Sequence, residues 1–351
     1  MKRFSLLLIL TLTVACTSLQ PAPTVTSTPP PSETPTVTPL PTATYTPEPT
    51  ATPTYIPPEP ITCTDDTCLR ACLKRITEVL GERTFDPVSE AFEDNEKLYK
   101  MVTYRVEGEE ITHPSEGFVP KDYQGYQKDT AAHLRIWNYF RAILPPEQRV
   151  WISSFQIFSD GDENILAYVR PLPNSDKWIL AADILDSTDP LYMTETLIHE
   201  FGHLLTLNAD QVPQSDDFVF TGEQNTAACP STFASWQGCS NPDSYMNQFY
   251  QRYWKTIYKE WFENVALPSG GRLNFNLVGN FYERYRDRFV SPYAASQPVE
   301  DITETFSFFV LNPKPRGDSI ADQKILFFYE YPELVSLRQY TIQGMCTYAG
   351  E

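Results

Sequence analysis

Histidine is scarce in this chain: four among 351 residues. Positive charge is also short, with 27 Lys and Arg against 45 Asp and Glu and a formal charge of −18. So acidic a surface repels phosphate backbones and anionic bilayers, so nucleic acid is not an expected partner. No internal repeat is visible, which removes repeat architectures from consideration. Long apolar runs are lacking as well. The one at the N-terminus, "FSLLLILTLTVAC" behind Met1-Lys2-Arg3, is too short to span a bilayer as a folded helix.

That run reads instead as a signal peptide, residues 1–15. Its end, "TVAC", resembles a bacterial lipobox, with Thr13 where leucine is usual, and it makes Cys16 the expected lipidation site. Membrane contact is then expected through that anchor alone, ordinary cleavage after Ala15 being the alternative. Residues 16–60 form the expected linker. Nearly half of the 31 prolines fall within 21–60, among threonines and almost no large apolar side chains. Such a tract cannot build a core; it favours extended polyproline conformations reaching on the order of 100 Å. An exported protein carried on a stalk at the cell surface is the expectation.

With Cys16 set aside, Cys63, Cys68, Cys72, Cys229, Cys239 and Cys346 remain, an even set suited to three disulfides in an oxidising compartment. Cys229 and Cys239 bracket "CPSTFASWQGC" and form the best local pair; their spacing is not that of a zinc knuckle.

Residues 61–351 are large enough for one sizeable core or two packed lobes. "DTCLRACLKRITEVLG" has helical spacing and stops at Gly81, and "KDTAAHLRIWNYFRAILPP" predicts a helix of about four turns ended by Pro145-Pro146. "YKMVTYRVEGEEI" alternates as a strand. "RVWISSFQIFS", "NILAYVRPL" and "KWILAADIL" follow, separated by the turn sequences "DGDEN" and "PNSD", so a small, mainly antiparallel sheet is expected. After the cysteine loop, "PDSYMNQFYQRYWKTIYKEWFENVA", "GNFYERYRDRF", "PVEDITETFSFFVLN" and "SIADQKILFFYEYPELVSLRQYTI" all predict helices. The fold class is α+β: a sheet lobe over about 61–208 and a mainly helical lobe over about 209–351.

Two of the four histidines sit four residues apart around a glutamate in "TETLIHEFGHLL". At this histidine frequency such a pentapeptide arises by chance in on the order of a few per thousand chains. On a helix His199 and His203 share one face, with Cβ atoms about 6 Å apart, and can offer two nitrogens to one zinc ion. Glu200, turned by about 100°, stands beside the metal where it can accept a proton from an attacking water. Gly202 costs ~1 kcal/mol inside a helix, which is understandable if another backbone or a ligand approaches there.

A catalytic zinc needs a third protein ligand. The metzincin pattern would put a glycine and a histidine at positions held by Thr206 and Ala209, so that class is excluded. No histidine lies downstream, and the upstream His113 and His133 read as surface or core residues. The acidic candidates are Glu300 and Glu304 in "SPYAASQPVEDITETFSFF", on one helical face opposite Ile302, Phe306 and Phe309. One would bind the metal and the other orient a ligand histidine; spacing does not choose between them, although Glu300 lies in the first turn, where a carboxylate is stabilised in its ionised form.

HEFGH followed by this acidic helix resembles the gluzincin metallopeptidases, and "YAASQPVEDITETF" is similar to the ligand helix of the anthrax lethal factor-like peptidases. The resemblance implies a zincin-like fold with one catalytic zinc held by His199, His203 and Glu300. It also implies Glu200 as general base, Tyr293 as hydrogen-bond donor to the oxyanion, and Glu304 behind a ligand histidine. The implied protein is a monomeric, surface-anchored endopeptidase acting on protein or peptide substrates. A non-catalytic binding lipoprotein and a zinc amidase acting on cell-wall amides are the alternatives.

Overall fold

Which strands pair with which follows from how each apolar run is covered. The computed structural model describes residues 98–161, 165–188, 190–215, 218–270 and 274–348, with the isolated positions Thr67 and Ala71. These belong to one compact unit, Tyr55–Glu351. The expected signal peptide, Cys16, the Thr/Pro tract, Cys63, Cys68, Cys72 and most of the helix expected before Gly81 lie outside the described residues.

Five strands, β1 (Tyr99–Glu107), β2 (Glu110–Glu116), β3 (Ile152–Ser159), β4 (Ala167–Pro171) and β5 (Trp178–Asp183), form one mixed sheet in the order β2-β1-β3-β5-β4. The fold is α+β. The segment expected as a single strand is a hairpin. Its turn contains Gly108 at φ 63°, a left-handed conformation that glycine adopts without a Cβ penalty, and β2 returns antiparallel along β1. "PNSD" joins β4 to β5 as an antiparallel pair, but "DGDEN" closes no hairpin. β5 lies between β3 and β4 and runs parallel to β3, so three of the four pairings are antiparallel, in keeping with a mainly antiparallel sheet, but the strand order is not that of successive hairpins. The reason is burial. All six residues of β5 are buried, as suits a central strand covered on both faces. β4 carries an exposed Arg170 and ends in Pro171, which has no N–H to donate, and it takes the edge.

Asp183 closes β5, fully buried. Its Oδ2 accepts the backbone N–H of Asp160 at 2.9 Å and its Oδ1 that of Leu185 at 2.7 Å. Burial, with the Asp186 carboxylate nearby, pushes its carboxyl up to about 7.

Helix α1 (Thr130–Ile143) is capped by Asp129, whose side chain accepts from Ala132 N at 2.9 Å, and it lays Trp137 against Phe155 of β3 with ring centroids 5.3 Å apart. Helix α2 (Pro190–Leu207) carries the HEFGH sequence and packs on β4. The following loop is closed by a Cys229–Cys239 disulfide; Cys346 is also disulfide-bonded, to a partner outside the described residues.

The helical stretch that begins at Tyr245 contains two widened π turns, Tyr250–Trp254 and Phe262–Ala266. Each admits an extra residue per turn, and the first packs Tyr250, Tyr253 and Trp254 all into the interior. Then come α3 (Phe275–Arg284), a 3-10 turn at Tyr293–Ser296, α4 (Pro298–Leu311), α5 (Ile320–Phe328) and α6 (Pro332–Tyr348). The last expected helix is thus two, divided at Pro332, whose ring suits a first turn but not a helix interior. Helix α4 is central: α2, α5 and α6 all pack on it, and α6 reaches back to α1.

Candidate metal centre

The helices α2 and α4 touch at Gly202. A Cβ there would lie 2.8 Å from Thr303 Cγ2 and 3.2 Å from Thr303 Cα, so the α4 backbone approaches a helix position that only glycine leaves open. Phe201 and Phe306 pack beside this contact, centroids 5.9 Å apart. The close approach sets His199 and His203 of α2 opposite Glu300 and Glu304 of α4, one helical turn apart on each side.

Glu300 Oε2 lies 3.1 Å from His199 Nε2 and 3.3 Å from His203 Nε2. The three residues form a group whose ligand atoms converge as a metal site requires. An ion bound tetrahedrally at 2.0–2.2 Å holds its donors roughly 3.4 Å apart, so the observed spacing fits that geometry. The far nitrogen of His199, Nδ1, faces Glu304 Oε1 at 3.0 Å, leaving Nε2 for the centre. Ser291 Oγ donates to the other oxygen of Glu304 at 2.6 Å, and Gln297 Nε2 donates to Glu300 Oε1 at 3.1 Å. Neither glutamate occupies a solvated face: their side chains are 12% and 10% exposed.

Burial acts to raise the Glu300 carboxyl, but the His203 and His199 imidazoles outweigh it and hold the group well below the carboxylate range. Burial likewise acts to lower His199, and hydrogen bonds to Glu300 and Glu304 carry it well above the usual imidazole value.

Glu200 is buried, and its Oε2 accepts the backbone N–H of Val169 on β4 at 2.8 Å. Burial raises its carboxyl; the two imidazoles and the Val169 N–H pull the other way. Tyr293 sits in the turn before α4 with its ring 6.0 Å from that of His199. Burial first, then the Glu300, Glu200 and Glu304 carboxylates, hold its phenol well above its ordinary value. It stays a protonated donor.

His133 is buried in the core and bonded at both nitrogens, to Tyr104 Oη at 2.8 Å and the Tyr126 carbonyl at 2.9 Å. His113 is exposed and meets Thr112 Oγ1 at 2.9 Å. Neither joins the centre.

Several contributors carry no sequence signal. Val169 acts through its backbone, and Ser291 and Gln297 are ordinary polar residues in turns. One further feature was legible as a lysine inside an apolar helix. Lys324, fully buried, forms an ion pair with Asp301, which also accepts from Trp254 Nε1 at 2.6 Å and adjoins Glu300. No protein-family model matches the chain, and comparisons with curated proteins and with solved structures yield no similar protein.

Proposed function

We propose that the protein is a zinc-dependent peptidase of the gluzincin type with a zincin-like catalytic fold, exported and tethered through Cys16, acting on protein or peptide outside the cell. The observation that carries this reading is the convergence of His199 Nε2, His203 Nε2 and Glu300 Oε2 beside the buried carboxylate of Glu200. A zinc ion held by those three atoms would supply Lewis acidity to a water and to the scissile carbonyl.

The protein's own groups do the rest. Glu200 takes a proton from the attacking water, and burial places its basicity closer to neutrality than that of a free carboxylate. Tyr293 keeps its proton and can donate to the oxygen on which negative charge develops. Glu304, held by Ser291, fixes the His199 ring. β4 is the sheet's edge strand beside the HEFGH helix, and an extended peptide backbone can pair along such an edge.

The test is a proteome-derived peptide library incubated with the zinc-loaded full chain and with its Glu200→Gln variant. Cleavage by wild type is expected, with a ~10²- to 10⁴-fold loss in the variant and unchanged zinc content. Peptide binding without cleavage by either protein would favour a binding lipoprotein, and release of amides from cell-wall fragments alone would favour an amidase.

A further inference from the structure

The sheet ends, on the side that leads into α2, in a second group of acids. Asp160 follows the last residue of β3, Asp183 is the last of β5, and Asp186 opens the 3-10 turn Asp186–Thr188 just ahead of Pro190. Because β3 and β5 are parallel neighbours, Phe158 pairs with Asp183 and both strands deliver their C-terminal carboxylates to one place. One oxygen from each of Asp160, Asp183 and Asp186 lies within 4.8 Å of the others.

Backbone donors saturate only part of this cluster. Asp183 takes the N–H groups of Asp160 and Leu185, and Asp160 Oδ2 takes that of Ile165 at 2.9 Å. Asp160 Oδ1 is left buried with no hydrogen-bond partner among the described residues, in a residue only 7% exposed. Neither Asp160 nor Asp183 has an ion-pair partner among the described residues. A buried carboxylate oxygen without a donor is strongly disfavoured unless a cation reaches it.

We propose that Asp160, Asp183 and Asp186 bind a calcium ion that staples the ends of β3 and β5 to the turn entering the HEFGH helix. The donor set is all carboxylate oxygen, the preference of a hard cation, where the His199–His203–Glu300 centre is mixed nitrogen and oxygen. Oxygens bound to one calcium at 2.3–2.6 Å lie no more than roughly 5 Å apart, which matches the cluster. Each carboxylate oxygen has a second lone pair, so the backbone N–H bonds persist when the ion binds. Water would complete the shell.

The experiment strips the full chain with chelator, restores one equivalent of zinc to occupy the histidine centre, and titrates with calcium, following bound calcium by equilibrium dialysis and the melting temperature in parallel. One further ion is expected, with Kd about 10⁻⁴ to 10⁻³ M, and a melting temperature that rises with calcium through that range. Asp186→Asn, at a half-buried position, should weaken binding at least tenfold and flatten the calcium dependence, as should Asp160→Asn; the exposed Asp318→Asn should change neither. Absence of calcium binding by wild type at several millimolar, or equal binding by Asp186→Asn and Asp160→Asn, overturns the proposal. A parallel magnesium titration that gave the tighter constant would overturn the choice of calcium.

Discussion

Replacing Lys324 by methionine isolates one interaction behind the candidate metal centre. The Lys324 ammonium is fully buried, 4.2 Å from the centre of the Phe289 ring and within 6.0 Å of that of Trp254, and it pairs with the equally buried Asp301. Burial pushes the lysine down to about 8, with Asp301 opposing that fall, so at neutral pH it carries its charge. Methionine fills nearly the same volume among the rings, so little cavity cost arises. What remains is an Asp301 carboxylate stranded in the core, with the Trp254 indole N–H and Thr305 Oγ1 beside it. Removing one partner of such a pair costs about 3–5 kcal/mol. For a domain of this size that lowers Tm by roughly 6–20 °C.

Asp301→Asn in the same chain removes the stranded charge but keeps an acceptor for Trp254, so the double variant should recover all but ~1–2 kcal/mol. Denaturant unfolding of the four proteins measures this directly. Because Asp301 adjoins Glu300 in the first turn of α4, Lys324→Met should also weaken zinc binding in a competition assay, and the double variant should restore most of it. A loss below ~1 kcal/mol in Lys324→Met, or a double variant no more stable than the single, would refute the account of Asp301 as a charge that depends on its lysine.

Three further outcomes are expected. Glu300→Ala should abolish zinc binding at micromolar metal, whereas Glu304→Ala should cost ~10- to 100-fold by freeing the His199 ring; the reverse order in a chelator competition would move the ligand to Glu304. Gly202→Ala gains helix propensity of about 1 kcal/mol but drives a methyl to 2.8 Å from Thr303 Cγ2, so a net loss of about 1–2 kcal/mol together with weaker metal binding is expected; unchanged stability would show that α4 yields freely there. Burial lowers the His133 pKa, the Tyr126 carbonyl bond opposing, so the unfolded chain binds its proton at higher pH than the native one. Its contribution to stability is therefore present above about 6.5 and lost as pH falls through the depressed native value. An NMR titration midpoint at or above 6.5 contradicts that sign.

What could be read before folding differs by the range of the interaction. His199, Glu200 and His203 are related by the helix repeat alone, and Glu300 and Glu304 likewise, so each pair's common face was legible locally. The meeting of the two pairs, some hundred residues apart, was expected from the need for a third ligand and from the family resemblance, not from spacing; its local trace is a glycine inside a helix, and the partner that needs the space, Thr303, has no signature. The sheet order had a signal that turn chemistry obscured. "DGDEN" reads as a hairpin, yet the unbroken apolar run of β5 against the Arg170-Pro171 end of β4 already distinguishes a central strand from an edge.

That ordering has a chemical consequence beyond topology. Had β3 and β4 paired as a hairpin with β5 outside, β5 would have formed the edge, and the N–H of Val169 would not have been the outward group facing Glu200. The Asp160 and Asp183 carboxylates would not have been delivered side by side by parallel strands. A single strand placement thus sets both the surroundings of the general-base candidate and the acidic cluster at the foot of its helix. Burial of the β5 run drives that placement, at about 25 cal/mol for each Å² of apolar surface removed from water.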